Sequence, residues 1–253
     1  MFRTKIVGIC NVTPDSFSDG GQYYDPEKAV ARVLELFDQG ADLVDIGAES
    51  TRPGAIPIGP DEEWLRLEPV LNDLAAQGVM EDISLDTMKP IIAERFIKLG
   101  GAVINDVSGL RDPAMVKLIA HHRGVQCVVG HLPKESPTEA HKARNSSLEP
   151  WQIVLYLRMR LRSLIGSGLL DSQIIVDPGI GFGKRPWLNY QLLSFAYSMQ
   201  ENPVMIGYSN KNFLDTVGIT NLDAGRIAIE SGVAYLRVHD VVGHVALRDR
   251  LMS

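Results

Sequence analysis

The sequence predicts an α/β protein, a (β/α)₈ TIM barrel that forms a single domain over residues 1–253. Short apolar segments alternate along the chain with longer amphipathic segments, a pattern typical of a parallel sheet with helical connections. The length of 253 residues and the hydrophobic content of 45% also suit one closed core. An open doubly wound sheet is the alternative, but it would need a GxGxxG turn after the first strand, where this chain has NVTPDSFSDGG.

Eight strands are predicted from apolar runs that end at polar or glycine-rich turns. They are KIVGIC (5–10), ADLVDI (41–46), EDISLD (81–86), GAVIN (101–105), VQCVV (125–129), QIIVD (173–177), NPVMIG (202–207) and VAYLRV (233–238). Helical periodicity between and after them predicts helices over 26–39, 61–77, 89–99, 113–121, 150–165, 188–200, 223–230 and 242–251. The turns at 11–24 and 47–60 are long and rich in Gly, Pro, Ser and Asp, and in a barrel they lie on the face that carries the chemistry.

The charge and the apolar runs argue against several kinds of partner. The formal net charge is −6 and no long block of like charge occurs, which weighs against nucleic acid. Cys10 and Cys127 lie within predicted strands and are interpreted as buried apolar residues rather than as a disulfide. No segment reaches the roughly 20 apolar residues of a membrane helix, and the first residues do not resemble a signal peptide. The sequence therefore predicts a cytoplasmic protein with no membrane partner.

Polar side chains recur at the carboxyl ends of the predicted strands, where a barrel would bring them around one mouth. One polar strand end is ordinary, but several acids and amides together indicate a site, because each is costly to bury without a partner. Asp45 is interpreted differently, as a structural residue that ties down the 49–54 loop. The whole set is Asn11, Asp45, Asp86, Asn105, His131, Asp177, Ser209, Lys211, Arg237 and His239.

Asp86 and Asp177 would face each other across the mouth, and three kinds of site use paired carboxylates. A metal site is weakly supported, because the chain has no HxH or ExxH spacing. A glycosidase would need aromatic residues along a sugar cleft, and aromatics are only 7% of this chain. A flat heterocycle with several N–H groups fits best, with both aspartates accepting while the Asn105 amide donates and accepts.

Cations near the strand ends predict an anionic ligand in a protein of negative net charge. Lys184 is the exception and is interpreted as solvated. It ends the segment DPGIGFGK (177–184), which has glycines at alternate positions, lacks the GxxxxGK[ST] spacing and follows the sixth strand. This segment is therefore predicted to bring backbone close to a ligand beside Asp177 rather than to form a P-loop. The cations are Arg52, Lys184, Lys211, Arg237 and His239.

Six segments together resemble one family, dihydropteroate synthase. They occur in the family's order and span nearly the whole chain. The resemblance implies the same barrel and a transferase that joins 6-hydroxymethyl-7,8-dihydropterin pyrophosphate to p-aminobenzoate, a step of folate synthesis. The segments are GICNVTPDSFSDGG (8–21), DIGAESTRPG (45–54), ISLDT (83–87), INDVSG (104–109), DPGIGFGK (177–184) and RVHDV (237–241).

The resemblance also implies roles for individual residues. The pterin pocket corresponds to Asp86, Asn105, Asp177 and Lys211, and the catalytic set to Lys211, Asp86, Asp177 and Arg52. The p-aminobenzoate side corresponds to Thr51, Arg52, Pro53, Phe182 and Asn212, and the pyrophosphate side to Asn11, Arg237 and His239. Asn11 matches the ligand of Mg²⁺, the implied cofactor. The implied partners are two small-molecule substrates and a second copy of the chain.

The reaction chemistry predicts that loss of pyrophosphate is the hard step. Cations and Mg²⁺ would take up the charge of the leaving group, and the two aspartates would stabilise a cation-like pterin. Closure of the loops around 15–18 and 51–53 would exclude water, which could otherwise capture the cation.

The chain departs from the family's pattern at three places. The family's SRKS is replaced by Ser209, Asn210, Lys211 and Asn212, and Gly130 stands where the family has Met before His131. The 211–237 segment is shorter than usual, which weighs against the family's dimer. Three hypotheses therefore remain: an active synthase, a pterin-dependent methyltransferase, which has no use for the two long loops, and a catalytically altered paralogue that binds pterin.

Overall fold

The protein is a single (β/α)₈ barrel in a computed structural model that describes residues 3–13, 25–50, 55–142 and 148–252. All eight predicted strands are confirmed, with ends shifted by a few residues. They are β1 (Lys5–Asn11), β2 (Leu43–Gly47), β3 (Ile83–Asp86), β4 (Val103–Asp106), β5 (Gln126–Gly130), β6 (Ile174–Asp177), β7 (Met205–Gly207) and β8 (Tyr235–Val238).

All strand pairs are parallel, in the order β6-β5-β4-β3-β2-β1-β8-β7. The two ends of this order meet at an isolated parallel bridge between Val176 and Val204, where the Val176 amide donates to the Pro203 carbonyl at 2.9 Å. This bridge nearly closes the barrel, and the carboxyl ends of all the strands therefore lie at one rim.

The helices begin where proline is tolerated, because the first helical N–H needs no partner within the helix. Seven of the described helices begin at a proline. The helices are α1 (Pro26–Asp38), α2 (Pro60–Ala76), α3 (Pro90–Lys98), α4 (Pro113–His121), α5 (Pro137–Lys142), α6 (Pro150–Gly166), α7 (Pro186–Gln191), α8 (Phe213–Val217), α9 (Asn221–Glu230) and α10 (Val241–Met252).

The helix prediction was wrong in two respects. The segment predicted as one helix over 188–200 is divided into α7 and a 3₁₀ helix, Leu192–Ser198, because Ser194 leaves the helical region with φ −98° and ψ 22°. The short helices α5 and α8 were not predicted, since six and five residues are too few to show a periodicity. In the described part of the chain, no helix is long and apolar enough to cross a bilayer.

The barrel interior is filled by apolar side chains contributed by nearly every strand. A second and larger cluster fills the space between the sheet and the helices. Cys10 and Cys127 are both buried and free, which confirms their interpretation as apolar residues. The interior cluster contains Val7, Leu43, Val103, Val128, Ile175, Met205, Ala234 and Tyr235.

Candidate active site at the carboxyl ends of the strands

A polar layer lies directly above the apolar interior of the barrel. Side chains two residues apart on a strand point to the same face. The interior residues Leu43, Val103, Ile175 and Tyr235 are therefore followed, on the same inward face, by Asp45, Asn105, Asp177 and Arg237. Glycines occupy the corresponding positions of β5 and β7, at Gly130 and Gly207.

Asp45 organises this layer from below. It is fully buried and accepts hydrogen bonds from Ser84 Oγ at 2.5 Å, Asn105 Nδ2 at 3.0 Å and Arg237 Nε at 2.6 Å. The sequence predicted that Asp45 ties down the 49–54 loop, of which residues 51–54 lie outside the described residues; in the described part of the chain its carboxylate binds β3, β4 and β8. The shared carboxylate fixes the orientation of both Asn105 and Arg237.

Arg237 links Asp45 to Asp86. Its Nη2 lies 3.4 Å from Asp86 Oδ2. Burial opposes its charge, but the carboxylates of Asp45 and Asp86 prevail and raise the pKa of Arg237. Burial, reinforced by the charge of Asp45, raises the pKa of Asp86 from 3.8 to about 7, although Arg237 acts in the opposite direction. Asp86 is therefore an acid that takes up or releases a proton near neutral pH.

Asp177 lies on β6 within a cationic environment. Its Oδ1 accepts a hydrogen bond from the Gly179 amide at 2.7 Å. Burial raises the pKa of Asp177, while the Gly179 amide and the charges of Lys211, Lys184 and Arg237 act to lower it.

Lys211 connects the two acidic sides of the mouth. Its Nζ donates to the Ile180 carbonyl and lies 5.4 Å from the centroid of the Phe182 ring. Burial lowers the pKa of Lys211 to about 8, against the attraction of Asp177 and Asp86. The strands that carry Asp86 and Asp177 end at the same rim, and both carboxylates act on the charge of Lys211.

The interpretation of Lys184 as solvated was wrong. Only 8% of its surface is exposed, and Nζ donates to the carbonyls of Gly179 at 2.6 Å and His131 at 3.2 Å. The positive φ angles of Gly179, Gly181 and Gly183 fold the loop back on itself and turn Lys184 inward. The alternate glycines of DPGIGFGK were the signal in the sequence for this reversal.

Two further residues of the mouth have defined surroundings. His131 is buried against Tyr156, with ring centroids 4.9 Å apart, and burial lowers the pKa of His131 to about 2. Its ring is therefore neutral, and its Nδ1 has no hydrogen-bond partner among the residues that the structure describes. His239 is held by Ser209, whose Oγ lies 2.9 Å from His239 Nδ1 and accepts from the His239 amide at 3.2 Å.

Helix α5 adds a wall that the sequence did not predict. The His141 ring lies 5.4 Å from the Phe182 ring, and Thr138 Oγ1 donates to the Ala55 carbonyl at 3.4 Å. The helix therefore connects the loop after β6 to the segment that follows the 51–54 loop. Thr51, Arg52 and Pro53, and the 15–18 loop, lie outside the described residues.

Comparison with known proteins agrees with this geometry. A family model described as pterin binding enzyme matches residues 7–239. A dihydropteroate synthase of Neisseria meningitidis serogroup C is 36% identical, over 94% of this chain and 88% of that protein. The chain belongs to the dihydropteroate synthase family.

Solved structures of dihydropteroate synthases show the same fold. The Xanthomonas albilineans enzyme with 4-aminobenzoic acid superimposes with a TM-score of 0.89 and 36% identity, covering 99% of this chain and 92% of that one. The same enzyme in complex with 7,8-dihydropteroate gives a TM-score of 0.85 and 33% identity, covering 99% and 93%. These matches favour the synthase over the methyltransferase among the three hypotheses.

Two departures from the synthase pattern lie on either side of Lys211, in the turn between β7 and α8. Asn210 has a φ of +57°, and its amide and side chain bond to Asn221. Asn212 is exposed and directly precedes α8, and its carbonyl accepts a hydrogen bond from Thr216 Oγ1 at 3.2 Å. Lys211, which lies between the two, contacts Ile180 and Phe182 in this chain.

Gly130, which stands where the family has Met, is tightly enclosed. Substitution Gly130→Ala is expected to lower the free energy of unfolding by about 2 kcal/mol. The added Cβ would lie 2.7 Å from the Val107 carbonyl oxygen and 2.8 Å from its Cα. Gly124→Ala is the matched control, because a Cβ there meets no described atom within 4 Å. Urea unfolding measures both, and equal stabilities would show that the loop after β4 moves aside at no cost.

Proposed function

We propose that this chain condenses 6-hydroxymethyl-7,8-dihydropterin pyrophosphate with p-aminobenzoate, giving 7,8-dihydropteroate and pyrophosphate. The arrangement of Asp86, Asn105, Asp177 and Lys211 around one mouth carries the proposal. It is supported by the likeness to synthases solved with 4-aminobenzoic acid and with 7,8-dihydropteroate.

The pterin would bind through donors and acceptors placed on opposite sides of the mouth. Asp86 and Asp177 would accept from the N–H groups of the ring, and Asn105, held by Asp45, would present its amide in a fixed orientation. Lys211 uses one N–H for the Ile180 carbonyl, and an ammonium group has three. The remaining N–H groups suit an acceptor on the ring.

The diphosphate would lie beside Arg237 and His239, which both stand at the carboxyl end of β8. Phe182, whose ring centroid lies 5.4 Å from Lys211 Nζ and 5.4 Å from the His141 ring, would line the p-aminobenzoate side together with Asn212. The roles of Thr51, Arg52 and Pro53 on this side remain predictions from the sequence.

Asn11 fits a magnesium ion whose other ligands are mainly water and the phosphate oxygens of the substrate. Among the described residues, no group of three or more His, Cys, Asp or Glu could form a metal cage. Asn11 ends β1 at the same rim and offers one amide oxygen, and Mg²⁺ commonly takes few protein ligands besides phosphate oxygens and water. Bound there, the ion would neutralise charge on the departing diphosphate.

The residues favour early departure of the diphosphate. An arylamine is already neutral near pH 7, so its nitrogen needs little help from a base. Asp86 and Asp177 would stabilise positive charge on the pterin while Arg237 and His239 stabilise the leaving group. We expect a normal secondary isotope effect with deuterium at the pterin methylene, measured on kcat/KM, and its absence would oppose a cation-like transition state.

Product analysis tests the proposed function. Purified protein would be supplied with the pterin pyrophosphate, Mg²⁺ and p-aminobenzoate, and both pyrophosphate and dihydropteroate would be quantified. Equal amounts of the two products support the synthase. Pyrophosphate without dihydropteroate would identify an altered paralogue with a defective second pocket, and no turnover would refute the proposal.

Binding of the pterin is expected to release protons near neutral pH. The pKa of Asp86 is about 7 in the free protein, and ring N–H donors favour its ionised form, so binding lowers the pKa. Calorimetric titration at pH 6.5 in buffers of different ionisation enthalpy measures the release, and Asp86→Asn should abolish it. A binding enthalpy that is independent of the buffer would contradict this expectation.

The same shift has a consequence for stability. Because the folded pKa of Asp86 lies above its ordinary value of 3.8, the folded protein holds a proton that the unfolded chain has lost between these two pH values. The contribution of Asp86 to stability is therefore greatest below about pH 4 and declines as the pH rises through about 7.

A homodimer is a further part of this proposal. Trp151, Leu155 and Met159 are exposed and lie four residues apart on α6, so they share one face, and Trp187 on α7 is exposed as well. Such apolar surface suits contact with a second copy. Analytical ultracentrifugation tests this, with Met159→Glu expected to yield a monomer.

A further inference from the structure

Lys184 joins two loops at the carboxyl ends of β5 and β6. Its Nζ donates to the Gly179 carbonyl at 2.6 Å, to the His131 carbonyl at 3.2 Å and more weakly to the Phe182 carbonyl at 3.5 Å. His131 belongs to the loop after β5, and the other two belong to the loop after β6. The ammonium group is therefore the common donor at the junction.

The junction leaves no room for a side chain at position 179. The φ of Gly179 is +67°, and a Cβ built on it would lie 2.2 Å from the His131 carbonyl oxygen. In this conformation the Gly179 amide points at Asp177 and donates to Oδ1 at 2.7 Å. The peptide groups on either side of Gly179 thus contact Asp177 on one side and Lys184 on the other.

We infer that Lys184 is a positioning residue for Asp177. By holding the carbonyls of Gly179 and His131 together, it keeps the Gly179 amide on one carboxylate oxygen and so fixes the direction of the other oxygen toward the ligand. The inference rests on the proposed function for the identity of that ligand, the pterin.

A purely structural role would not need a lysine at this position. Burying an ammonium group costs several kcal/mol, and apolar replacements of buried charges are often neutral or stabilising. The positive charge of Lys184 acts on Asp177. Together with Lys211 and Arg237 it favours the ionised form of this carboxylate. Removing one of them should raise the pKa of Asp177.

The chain offers a matched control at the opposite end of the same strand. Gln173 is also buried, and its Nε2 donates to three backbone carbonyls, those of Ile119 at 3.0 Å, His122 at 3.0 Å and Val125 at 2.9 Å. It lies just before β6, remote from the carboxyl rim. Gln173→Met therefore removes a similar set of hydrogen bonds without touching Asp177.

The experiment compares Lys184→Met with Gln173→Met. Lys184→Met is expected to raise the KM for the pterin pyrophosphate about tenfold, the effect of losing one hydrogen bond to a charged group. The KM for p-aminobenzoate should stay unchanged. The acid limb of pterin binding should move to higher pH. Burial lowers the pKa of Lys184 to about 7, so the lysine is charged below that pH, and its removal leaves Asp177 easier to protonate. Gln173→Met should lose stability in urea while showing neither change.

Equal kinetic behaviour of the two variants would overturn the inference. Lys184→Gln keeps two N–H donors and loses the charge, so it serves if Lys184→Met does not fold. It should shift the acid limb in the same direction, and an unshifted limb with an unchanged KM would likewise overturn the inference. An inactive wild-type protein would refute the proposed function instead, and direct titration with 6-hydroxymethylpterin would then compare the affinities of the same variants.

Discussion

Substitution Lys211→Met is expected to lower kcat/KM for the condensation by about 10²- to 10³-fold, the range found when one preorganised donor is removed from a transition-state site. Lys211 is one of two cations, with Arg237, on which both Asp177 and Asp86 act. Without it, Asp86 and Asp177 have less positive charge nearby, so a smaller fraction of each carboxyl group is ionised when the pterin binds. The loss should appear in kcat as well as in KM, because the substituted side chain can no longer donate to the reacting ring.

A lysine remote from the mouth provides the control for this prediction. Lys98→Met, at the end of α3, removes an exposed ammonium group that pairs with Glu94, and it should leave steady-state kinetics unchanged. A loss of less than about tenfold for Lys211→Met would show that its ammonium group is not used in the transition state.

Substitution Asp45→Ala is expected to destabilise the fold by about 3–5 kcal/mol, the cost of removing one partner of a buried ion pair. Three donors on three strands depend on this carboxylate: Ser84, Asn105 and Arg237. Among the described residues, removing it leaves Arg237 with the longer contact to Asp86 and removes the acceptor of the Asn105 amide. The loss is a large fraction of the 5–15 kcal/mol that typically stabilises a folded protein.

Urea unfolding measures this loss, with Asp73→Ala as the control. Asp73 is exposed on α2, so its removal should change the free energy of unfolding by less than about 0.5 kcal/mol. Asp45→Asn, which keeps one acceptor oxygen, should lie between the two. Equal stability of Asp45→Ala and the control would mean that Arg237 finds another partner.

The barrel and the composition of its rim were predictable because both depend on local patterns. Alternation of strands and helices set the fold, and the two-residue period of a strand placed Asp177 and Arg237 above Ile175 and Tyr235. The family motifs then pointed to the same residues. These patterns involve residues that are close together in the sequence, so they can be recognised without the structure.

The partners within the rim were not predictable in the same way. That Asp45 would bind Arg237, 192 positions later in the chain, depends on how the strands meet in the closed barrel. The error at Lys184 has a related cause, since the direction of its side chain follows from three glycine conformations and not from its own residue type. A lysine after a glycine-rich turn is usually solvated, and only the fold of this loop reverses that expectation.

The barrel is joined least firmly between β6 and β7, where Val176 and Val204 form an isolated bridge. Asp177 directly follows one side of this joint, and Lys211 lies a few residues beyond the other. A molecule that binds both Asp177 and Lys211 therefore links β6 to the segment after β7, across the strand pair that is joined by an isolated bridge. Binding should slow the exchange of the Val176 amide hydrogen with deuterated solvent, because a ligand at the rim would rigidify the contact between β6 and β7.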